Sequence, residues 1–425
     1  MRETDFKQTE IGLIPLDWNI KELHEISSTS SGGTPSRRNS SYYQGSIRWF
    51  TTSELNDCTL YDSKDHITEE AIMNSSAKIF PKGTLLMAMY GATIGKLGVL
   101  SNESATNQAC CAIFCEEIDV MYLFYYLLQN RNRIIELGIG AAQPNISQSI
   151  INHLVIGLPT LQEQKKIGNL LSQVEKLISI LKNLIEKKDA IKAGAMSQLL
   201  SGKLRLPGFS EPWISTSLDE LGVLLSNNTL SRDNLTESGT IGNIHYGDIL
   251  TKFGAILDLD NTAIPFIHLQ MSSKFLKSHL AKEGDIIFAD TAEDETVGKA
   301  TELVNVKDRA IVSGLHTFWF RPLTKFASKY LGYAVNSHEF HQQVIPVISG
   351  TKVCSISKPN LLSFTLTYPS DLEEQKAIAK VLTDMDDEIS ALEAKLKKYE
   401  QLKKGMMQQL LTGKIRLVSP NESLS

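Results

Sequence analysis

The polar loop at residues 31–40 holds the densest set of groups in the chain that could contact a nucleic acid. Its two adjacent glycines would let a backbone approach a ligand closely, and the hydroxyls of Thr34 and Ser36 suit phosphate oxygens. Arg37 and Arg38 could each donate two hydrogen bonds to guanine O6 and N7. A solvated surface loop without a ligand is the alternative interpretation of the same composition.

Further polar side chains lie in loops of both halves, where they could hydrogen bond base edges or phosphates. In the first half they are Tyr90, Thr93, Lys96, Gln108, Gln143 and Asn145, and in the second half they are Tyr246, Thr291, Lys299, His316, Thr351 and Lys352. Residues 91–96 resemble a phosphate loop, but Leu97 replaces the Ser or Thr that should follow Lys96. We therefore expect this lysine to contact a backbone phosphate and not a nucleotide. Asn145 could equally serve only to form a turn.

The sequence lacks the motifs of common catalytic sites. It contains no GxSxG, no HExxH, no complete phosphate loop and no Asp/Asn-Pro-Pro-aromatic motif of amino-methyltransferases. The nine histidines do not cluster with carboxylates at metal-binding spacing along the chain. Cys110, Cys111 and Cys115 lie in a strand-like segment without a second ligand pair, so buried thiols are expected there. We expect neither catalysis nor a bound metal or cofactor in this chain.

The composition is typical of a globular protein. The chain has 425 residues, of which 42% are hydrophobic and 21% charged, enough for roughly two to four domains with their own cores. There is no apolar run of membrane-spanning length, no signal peptide and no disulfide spacing among the five cysteines, which predicts a cytoplasmic protein. The net charge of −5 is compatible with nucleic-acid binding, because basic residues can gather on one face.

The elements that would position these polar groups are duplicated. Residues 161–206 align without a gap with residues 372–417, and 20 of the 46 positions are identical. Shorter upstream matches pair residues 83–88 with 284–289 and residues 140–147 with 350–357. Because the period is about half the chain, the sequence predicts two globular units that alternate with two long helices. The loops match poorly between the halves, so the two units would present different surfaces.

Both repeated segments show heptad spacing of apolar residues, which places one apolar seam along a helix. The seam residues are Ile167, Leu171, Val174, Ile178, Leu181 and Ile185 in the first segment and Ile378, Leu382, Met385, Ile389, Leu392 and Leu396 in the second. Each segment of roughly 40 residues would form a rod about 60 Å long. A single helix would leave this seam exposed, so we expect the two helices to pair as an antiparallel coiled coil. A purely structural stalk would show the same periodicity.

Two pairs of glycines recur at equivalent positions of the repeated segments. Gly202 and Gly413 are expected to end the helices in the left-handed conformation. Gly194 and Gly405 fall inside the helices, where glycine costs about 1 kcal/mol relative to alanine. Close approach of the two helices would explain both, and chance retention after the duplication is the alternative.

Between the long helices, alternating apolar segments predict β-rich units with short helices. Residues 46–51 and 84–89 suit strands, whereas residues 121–128 and 329–334 suit buried helices. The expected fold class is α+β, with two globular β-rich domains, two long paired helices and a pseudo-two-fold relation between the halves.

This alternation, together with its motifs, resembles the specificity (S) subunit of Type I restriction-modification systems. The resemblance rests on the helix segment that begins Pro-Thr-Leu-Gln-Glu-Gln at residue 159 and ends Gln-Leu-Leu-Ser-Gly-Lys-Leu-Arg at residue 205, and on its second copy over residues 369–416. Residues 14–18, 32–36 and 143–147 also match, so nearly the whole chain is covered. The second half departs from the pattern, because it lacks the GGTPS loop.

The resemblance implies target recognition domains at residues 1–158 and 207–368, each reading one half of a bipartite, asymmetric site in double-stranded DNA. It implies a central helix at 159–206 and a C-terminal helix at 369–417, which set the spacing of the half-sites, and a tail at 418–425. The helices would dock two modification (methyltransferase) subunits that carry S-adenosylmethionine. Two restriction subunits that use ATP and Mg²⁺ would join them. The chain itself would be a non-catalytic component of phage defence.

The residues alone leave two other functions open. A coiled-coil adaptor with protein-binding globular units would show no salt-dependent affinity for DNA, whereas phosphate contacts make affinity fall steeply with salt. An enzyme, such as a lone methyltransferase or nuclease, would be active without partners, and the missing motifs argue against it.

Overall fold

The computed structural model describes residues 5–138, 145–272, 275, 280–350 and 352–417. The chain forms two compact units: unit 1 is Met1–Lys182 with Ala394–Ser425, and unit 2 is Asn183–Glu393. The α-helices are α1 (Glu69–Met73), α2 (Val120–Gln129), α3 (Arg131–Leu137), α4 (Gln148–Asn152), α5 (Leu161–Leu199), α6 (Leu218–Leu221), α7 (Tyr246–Thr251), α8 (Leu269–Ser272), α9 (Tyr330–Ala334), α10 (His338–Val344), α11 (Lys358–Ser363) and α12 (Leu372–Leu410). The boundary between the units falls inside α5 and inside α12.

Unit 1 is built from short strands. They are β1 (Phe6–Thr9), β2 (Gly12–Pro15), β3 (Asn19–Glu22), β4 (Ser27–Ser31), β5 (Ile47–Phe50), β6 (Cys58–Leu60), β7 (Asp65–Ile67), β8 (Ile79–Phe80), β9 (Leu85–Ala88), β10 (Leu97–Leu100), β11 (Ser104–Thr106), β12 (Cys110–Cys115) and β13 (Val155–Leu158). Within the described residues they form sheets in the orders β4-β12-β9-β10-β6, β7-β5-β11-β8, β1-β2 and β13-β3.

Unit 2 is built in the same way. Its strands are β14 (Trp213–Ser217), β15 (Gly222–Leu225), β16 (Leu235–Thr236), β17 (Ile241–Ile244), β18 (Ile256–Asp258), β19 (Phe266–Ile267), β20 (Ile286–Ala289), β21 (Thr291–Ala292), β22 (Ala300–Val304), β23 (Ala310–Ser313), β24 (Thr317–Pro322), β25 (Cys354–Ser355) and β26 (Thr365–Pro369). In the part of the chain described, the sheet orders are β15-β24-β20-β22-β18, β16-β19-β17-β23, β14-β26 and β21-β25.

The two units share the topology of their larger sheet, whereas their smaller sheets differ in strand order. In each larger sheet the last strand, β6 or β18, runs parallel to its neighbour, and the other pairs are antiparallel. In each unit the strand that leads into a long helix pairs with an early strand, β13 with β3 and β26 with β14. The hydrogen bond from the Leu23 N–H to the Leu154 carbonyl (2.9 Å) has its equivalent in the bond from the Leu218 N–H to the Phe364 carbonyl (3.0 Å). This equivalence shows which residues of the two units correspond.

Helices α5 and α12 begin and end at equivalent repeat positions, and glycine ends both. Gly202 and Gly413 have φ of +71° and +67°, the left-handed conformation that the sequence predicts at a helix end. The explanation of Gly194 and Gly405 by close helix approach is wrong, because a Cβ at either position would meet no described atom within 4 Å. These glycines are therefore not required for packing.

The predicted seam residues of the long helices are buried or half-buried. Ile167 and Leu171 belong to the core of unit 1, and Ile378 and Leu382 belong to that of unit 2. Ile167, Leu171, Val174, Ile178, Leu181, Ile378, Leu382 and Ile389 are buried, and Ile185, Met385, Leu392 and Leu396 are half-buried. In unit 1 the start of α5 shares one apolar cluster with the end of α12, and in unit 2 the end of α5 shares one with the start of α12. Each unit thus buries opposite ends of the two helices together.

Ion pairs join the same helix segments inside each unit. In unit 1, Glu175 pairs with Lys403, and Lys182 Nζ lies 3.1 Å from a carboxylate oxygen of Glu400. In unit 2, Lys188 Nζ lies 2.7 Å from a carboxylate oxygen of Glu388, and Lys192 pairs with Asp386. Within each unit, the paired segments of α5 and α12 therefore run antiparallel.

The predicted mixture of β-sheets and long helices in a duplicated chain is confirmed. The segments expected to be strands contain β5 and β9. Of the segments expected to be short helices, residues 121–128 lie within α2 and residues 329–334 contain α9. None of the described helices combines the length and the apolar character needed to cross a bilayer.

Candidate nucleic-acid interface

In unit 1, backbone hydrogen bonds bring several predicted contact residues to one edge. Met89, which precedes Tyr90, donates its N–H to the carbonyl of Ala109 (2.9 Å), the residue after Gln108. The Met89 carbonyl accepts a hydrogen bond from the N–H of Ile146 (2.8 Å), the residue after Asn145. Tyr90 and Asn145 also form a β-bridge, and Thr34 Oγ1 donates a hydrogen bond to Gln108 Oε1. These four exposed residues, Thr34, Tyr90, Gln108 and Asn145, are termed rim 1.

Of the two adjacent arginines in the loop, Arg37 is the one that contacts within unit 1 orient. Its Nη2 donates to Asp65 Oδ2 at 2.6 Å, and its Cζ lies 4.1 Å from the ring centroid of Tyr43 and 5.3 Å from that of Trp49. The side chain is still 58% exposed, so several of its five N–H donors remain free. A carboxylate and two rings restrict its rotamers, which lowers the entropy lost when the guanidinium contacts a base.

Ser36 and Arg38 flank Arg37 and are both exposed. Among the described residues, no hydrogen bond or ion pair holds the Arg38 side chain. The two arginines therefore differ: Arg37 is held in one orientation, whereas Arg38 is free to follow a backbone phosphate.

The glycines of the loop have a different role from the one expected. Gly32 and Gly33 are buried, and an added Cβ would lie 2.2 Å from Thr106 and from Ser76, respectively. The Gly33 carbonyl accepts a hydrogen bond from Trp49 Nε1 at 2.9 Å. The expectation that these glycines let a backbone approach DNA is wrong, because they pack the loop against its own unit.

Lys96 and Lys299 occupy equivalent loops, and both are tied to their own unit. Lys96 Nζ lies 3.3 Å from Asp57 Oδ2, and the same aspartate pairs with Arg131. Lys299 Nζ donates to the Leu250 carbonyl at 3.1 Å, and burial lowers the pKa of this lysine. These contacts favour a role in holding each loop over a direct phosphate contact.

The remaining predicted residues of unit 1 and the segment near residue 350 are less informative. Thr93 is half-buried, and its carbonyl accepts the Lys96 N–H at 2.9 Å in a tight turn. Lys352 is exposed. Gln143 and Thr351 lie outside the described residues.

In unit 2 the predicted residues Tyr246, Thr291 and His316 meet, and they are termed rim 2. The rings of Tyr246 and His316 pack edge to face with centroids 5.3 Å apart, and Thr291 Oγ1 lies 3.4 Å from His316 Nδ1. Asp290, which precedes Thr291, donates its N–H to the His316 carbonyl (3.2 Å), and its own carbonyl accepts from the Ile356 N–H (3.1 Å). Met89 makes the equivalent two backbone hydrogen bonds beside rim 1. The two rims therefore share a backbone framework and differ in side chains.

His245, next to rim 2, is held as a neutral ring. Burial lowers its pKa, and the nearby charge of Arg232 adds to this shift. Its Nδ1 accepts a hydrogen bond from the Gly247 N–H at 3.2 Å, so the proton of the neutral ring resides on Nε2. The ring lies 4.7 Å from that of Tyr246 and thereby supports the rim.

Arg232 is a candidate contact that the sequence comparison missed. The Gly33 N–H donates to the last residue of β11, and the Asn228 N–H donates to the last residue of the equivalent strand β23, both at 2.9 Å. Residues 34–37, Thr-Pro-Ser-Arg, therefore correspond to residues 229–232, Thr-Leu-Ser-Arg. The signal was present as a shared Thr-x-Ser-Arg pattern. The two copies of this pattern lie 195 positions apart, as do Trp18 and Trp213, whereas the two copies of the long helix lie 211 positions apart.

An aspartate orients Arg232 as another orients Arg37. Arg232 Nη1 donates to Asp248 Oδ2 at 2.7 Å, and Lys252 Nζ lies 3.0 Å from Asp248 Oδ1. Burial opposes ionisation of Asp248, but the hydrogen bonds from these two cations hold its pKa below the ordinary value. Arg232 remains 47% exposed at the side chain, beside the helix that begins with Tyr246.

The repeated helix-end motifs form buried ion pairs. In unit 1, Arg416 donates two hydrogen bonds to the fully buried Glu163, at 2.8 and 2.9 Å, and two to Asp17. These hydrogen bonds raise the pKa of Arg416 far above its ordinary range and lower that of Asp17. In unit 2, Arg205 donates to the fully buried Glu374 at 2.6 and 2.7 Å.

The cysteine cluster behaves as the sequence predicts. Cys110 and Cys111 are buried in β12, and Cys115 is half-buried. Burial raises the pKa of Cys111 and Cys115 to about 12 and that of Cys110 further. Such thiols remain protonated, which suits core packing and not metal ligation.

The sequence matches one family profile over most of its length, in two copies. The profile describes the Type I restriction modification DNA specificity domain and matches residues 15–188 and 210–404. The MjaVIII specificity subunit of Methanocaldococcus jannaschii is 25% identical over 99% of this chain and 98% of its own length. The MjaIX specificity subunit of the same organism is 35% identical over 182 residues, which are 41% of this chain and 42% of that protein.

Solved structures share the fold. The S subunit of a Type I restriction-modification system from M. genitalium has a TM-score of 0.60 at 15% identity, covering 96% of this chain and 99% of that one. A chain from work on complex assembly and conformational transition of the type I system has a TM-score of 0.53, covering 95% of this chain and 99% of that one.

Proposed function

The chain belongs to the family of Type I restriction-modification DNA specificity domains, and from that premise we propose that each of its two units reads one half of a bipartite DNA site. It is the DNA-recognition subunit of such a system and is not itself an enzyme. The recognition domains in this proposal are residues 1–158 and 207–368. Residues 159–206 and 369–417 are the spacer helices, and 418–425 are a tail.

The observation that carries the proposal is the pair of rims. Rim 1 and rim 2 are built on equivalent backbone hydrogen bonds, and each has an aspartate-held arginine nearby, Arg37 or Arg232. A common framework with different side chains would give two readers of one kind with different sequence preferences. The DNA site is therefore expected to be split and asymmetric.

In this proposal, Arg37 and Arg232 contact bases, and Thr34, Gln108, Tyr90 and Asn145 line one half-site. Tyr246, Thr291 and His316 line the other. Ser36, Arg38 and Lys352 contact phosphates, and Lys96 and Lys299 hold their loops. The phosphate contacts would make affinity fall steeply with salt.

The helices α5 and α12 act as the ruler between the half-sites in this proposal. Opposite ends of the two helices share a core and ion pairs within each unit, which supports an antiparallel coiled coil along their length. The two units would then be related by a pseudo-two-fold axis. A rigid spacer fixes the gap between half-sites, as it does for paired DNA-binding modules.

The outer surface of the helices is the proposed dock for two modification subunits, with two restriction subunits joining them. Among the exposed apolar side chains of α5, four follow one another at spacings of three, four and seven residues, namely Leu177, Ile180, Leu184 and Ile191. Such spacing places them on one face, which a partner helix could cover. The double-stranded DNA and the methyltransferase would thus bind different parts of the chain.

Methylation mapping tests this function. Cells that lack other methyltransferases would express the chain with the modification subunit encoded beside it, and single-molecule sequencing would map methylated adenines across the genome. We expect one split, asymmetric motif that disappears when the chain is omitted. Unchanged methylation, in cells where the assembled complex is isolated and binds S-adenosylmethionine, would contradict the proposal and favour an adaptor function.

A further inference from the structure

Three side chains on unit 1 form a cluster with the composition of a transition-metal site. Glu22 ends β3, His24 lies in the short 3-10 helix Leu23–Glu25 that follows, and His153 comes directly after α4. One ligand atom from each of the three lies within 4.8 Å of the other two. Pairing of β3 with β13 brings together residues that are far apart along the chain, which is why spacing in the sequence gave no sign of the cluster.

The hydrogen bonding of His153 leaves its outer nitrogen free. Its Nδ1 lies 2.8 Å from the Ser149 carbonyl oxygen, and a carbonyl can only accept, so Nδ1 carries the proton. In the neutral ring, Nε2 then has a lone pair, and it lies 4.0 Å from Glu22 Oε2. A backbone carbonyl that holds the other ring nitrogen is the usual orienting contact of a metal-binding histidine.

His24 adds a second imidazole nitrogen to the same point. Its Nδ1 lies 3.1 Å from Glu22 Oε2 and 3.2 Å from the Asn152 carbonyl oxygen. The two histidine rings have centroids 5.4 Å apart and are tilted by 48°. A carboxylate and two imidazole rings therefore converge on one place. The Asn152 carbonyl can only accept, so His24 Nδ1 carries a proton there, and a bound cation would replace that proton between His24 and Glu22.

We propose that Glu22, His24 and His153 bind one transition-metal ion of borderline softness, such as Zn²⁺, Co²⁺ or Ni²⁺. Two imidazole nitrogens and one carboxylate oxygen are a ligand set that suits these ions, and solvent would complete the coordination. With bonds of about 2.1 Å the ligand atoms need to lie about 3.4 Å apart, close to the separations of 3.1 and 4.0 Å to Glu22. The side chains are partly exposed and can make this adjustment.

The proposed site is particular to unit 1. The strand register makes Ser217, Asp219 and Ser363 the unit 2 counterparts of the three ligands, and none of them is an imidazole. A bound ion would join the first strands of the chain to the segment that enters α5. It would therefore stabilise unit 1 in the folded state, because the unfolded chain does not hold the three ligands together.

Metal titration of the untagged, full-length chain tests the proposal. After treatment with chelator, ZnCl₂ and NiCl₂ would be titrated separately by calorimetry, and thermal unfolding would be followed with and without each ion. We expect one saturable ion per chain and a higher Tm when it is bound. His24→Ala and His153→Ala should each weaken binding at least about tenfold, whereas His338→Ala, at an exposed histidine of unit 2, should leave it unchanged.

The metal-free Tm and circular dichroism of each variant establish that it is folded, since the replaced side chains are partly exposed. Binding that survives both His24→Ala and His153→Ala would place the ion elsewhere and overturn the proposal, as would the absence of saturable binding. Equal binding of MgCl₂ would also overturn it, because Mg²⁺ prefers oxygen ligands and would report only a carboxylate.

Discussion

Arg37 and Arg232 occupy one position of the repeated scaffold, and each is held by an aspartate of its own unit. We expect Arg37→Ala to reduce discrimination at one half-site by about 1–3 kcal/mol, because a bidentate arginine–guanine pair contributes that much. Arg232→Ala should have the same effect at the other half-site only. The measurement is competition binding of the assembled methyltransferase complex to duplexes that carry a substitution in one half-site at a time.

Two control variants separate base reading from charge. Arg37→Lys keeps the charge but not the forked donors, so it should retain overall affinity and lose discrimination. Arg309→Ala removes an arginine that pairs with Asp260 on unit 2, and it should change neither half-site preference. If Arg37→Ala weakened binding to every duplex equally, Arg37 would be a phosphate contact.

Glu302 predicts a pH dependence of stability. It is buried and accepts backbone hydrogen bonds from Lys329 (2.6 Å) and Gly332 (2.7 Å), but burial dominates and raises its pKa from 4.5 to about 7. Between these pH values the folded state keeps a proton that the unfolded state has lost. Stability should therefore fall as pH rises from about 4.5 to about 7, by about 3 kcal/mol in all, and then level off.

Urea unfolding between pH 4.5 and pH 8, followed by tryptophan fluorescence, measures this dependence. Glu302→Gln should be less stable at low pH, because its amide N–H₂ meets a backbone N–H, and should show a flatter pH profile. Glu237→Gln, at an exposed position, should retain the wild-type profile. A Glu302→Gln profile as steep as that of the wild type would assign the dependence to other groups.

Side-chain chemistry could be predicted from the sequence where it depends on residue type, and not where it depends on distant neighbours. Polar and aromatic side chains in loops predict Arg37, Tyr246 and His316 as contact residues, and the structure places the last two in contact. Arg232 was missed because insertions change the offset between the halves from 195 to 211. The role of Gly33 was misassigned because Ser76, which closes over it, is more than 40 positions away.

At the scale of elements, the repeated motifs at the ends of the long helices place a glutamate and an arginine where they form an ion pair in each unit. Arg416 is largely buried, and its partner Glu163 is fully buried. Arg416→Ala leaves that carboxylate buried and unpaired, so we expect a loss of about 3–5 kcal/mol in the free energy of unfolding of unit 1. Denaturant unfolding of the chain measures this loss, and Arg205→Ala should give a similar loss in unit 2.

Lys414→Ala is the matched control, because Lys414 is exposed and lies two residues before Arg416. Adding Glu163→Gln to Arg416→Ala should recover part of the lost stability, since the charge that has to be buried is gone. An Arg416→Ala variant as stable as Lys414→Ala would mean that solvent reaches Glu163 and that the ion pair contributes little.

The long helices could be predicted because their signal is local and periodic. Heptad spacing and terminal glycines gave helices that are observed as α5 and α12, and alternation of apolar residues gave β5 and β9. Sheet order could not be predicted, because it depends on pairs such as β4 with β12, which join residues about 80 positions apart. The sequence contains no local record of such pairs.

At the scale of the whole molecule, duplication explains why one chain can read an asymmetric site. The scaffold is kept in both halves, down to the buried Glu–Arg pairs, while the rims differ in nearly every side chain. Recognition can therefore change in one half without disturbing the other. In the proposed function, the distance between half-sites would then depend on the helices alone.

Inserting one heptad into α5 and one into α12, at residues 182 and 393 where the units divide, tests this separation. Each insertion keeps the seam in phase and adds about 10.5 Å of helix, so the gap between half-sites should widen by at most about three base pairs. Methylation mapping reads the new gap directly, and the half-site sequences should stay the same because both rims are untouched. A seven-residue insertion in the turn at residues 259–262 should leave the gap unchanged. If the double insertion methylated the original motif with its original gap, the helices would not set the spacing, and flexible joints between recognition domains and helices would have to do so.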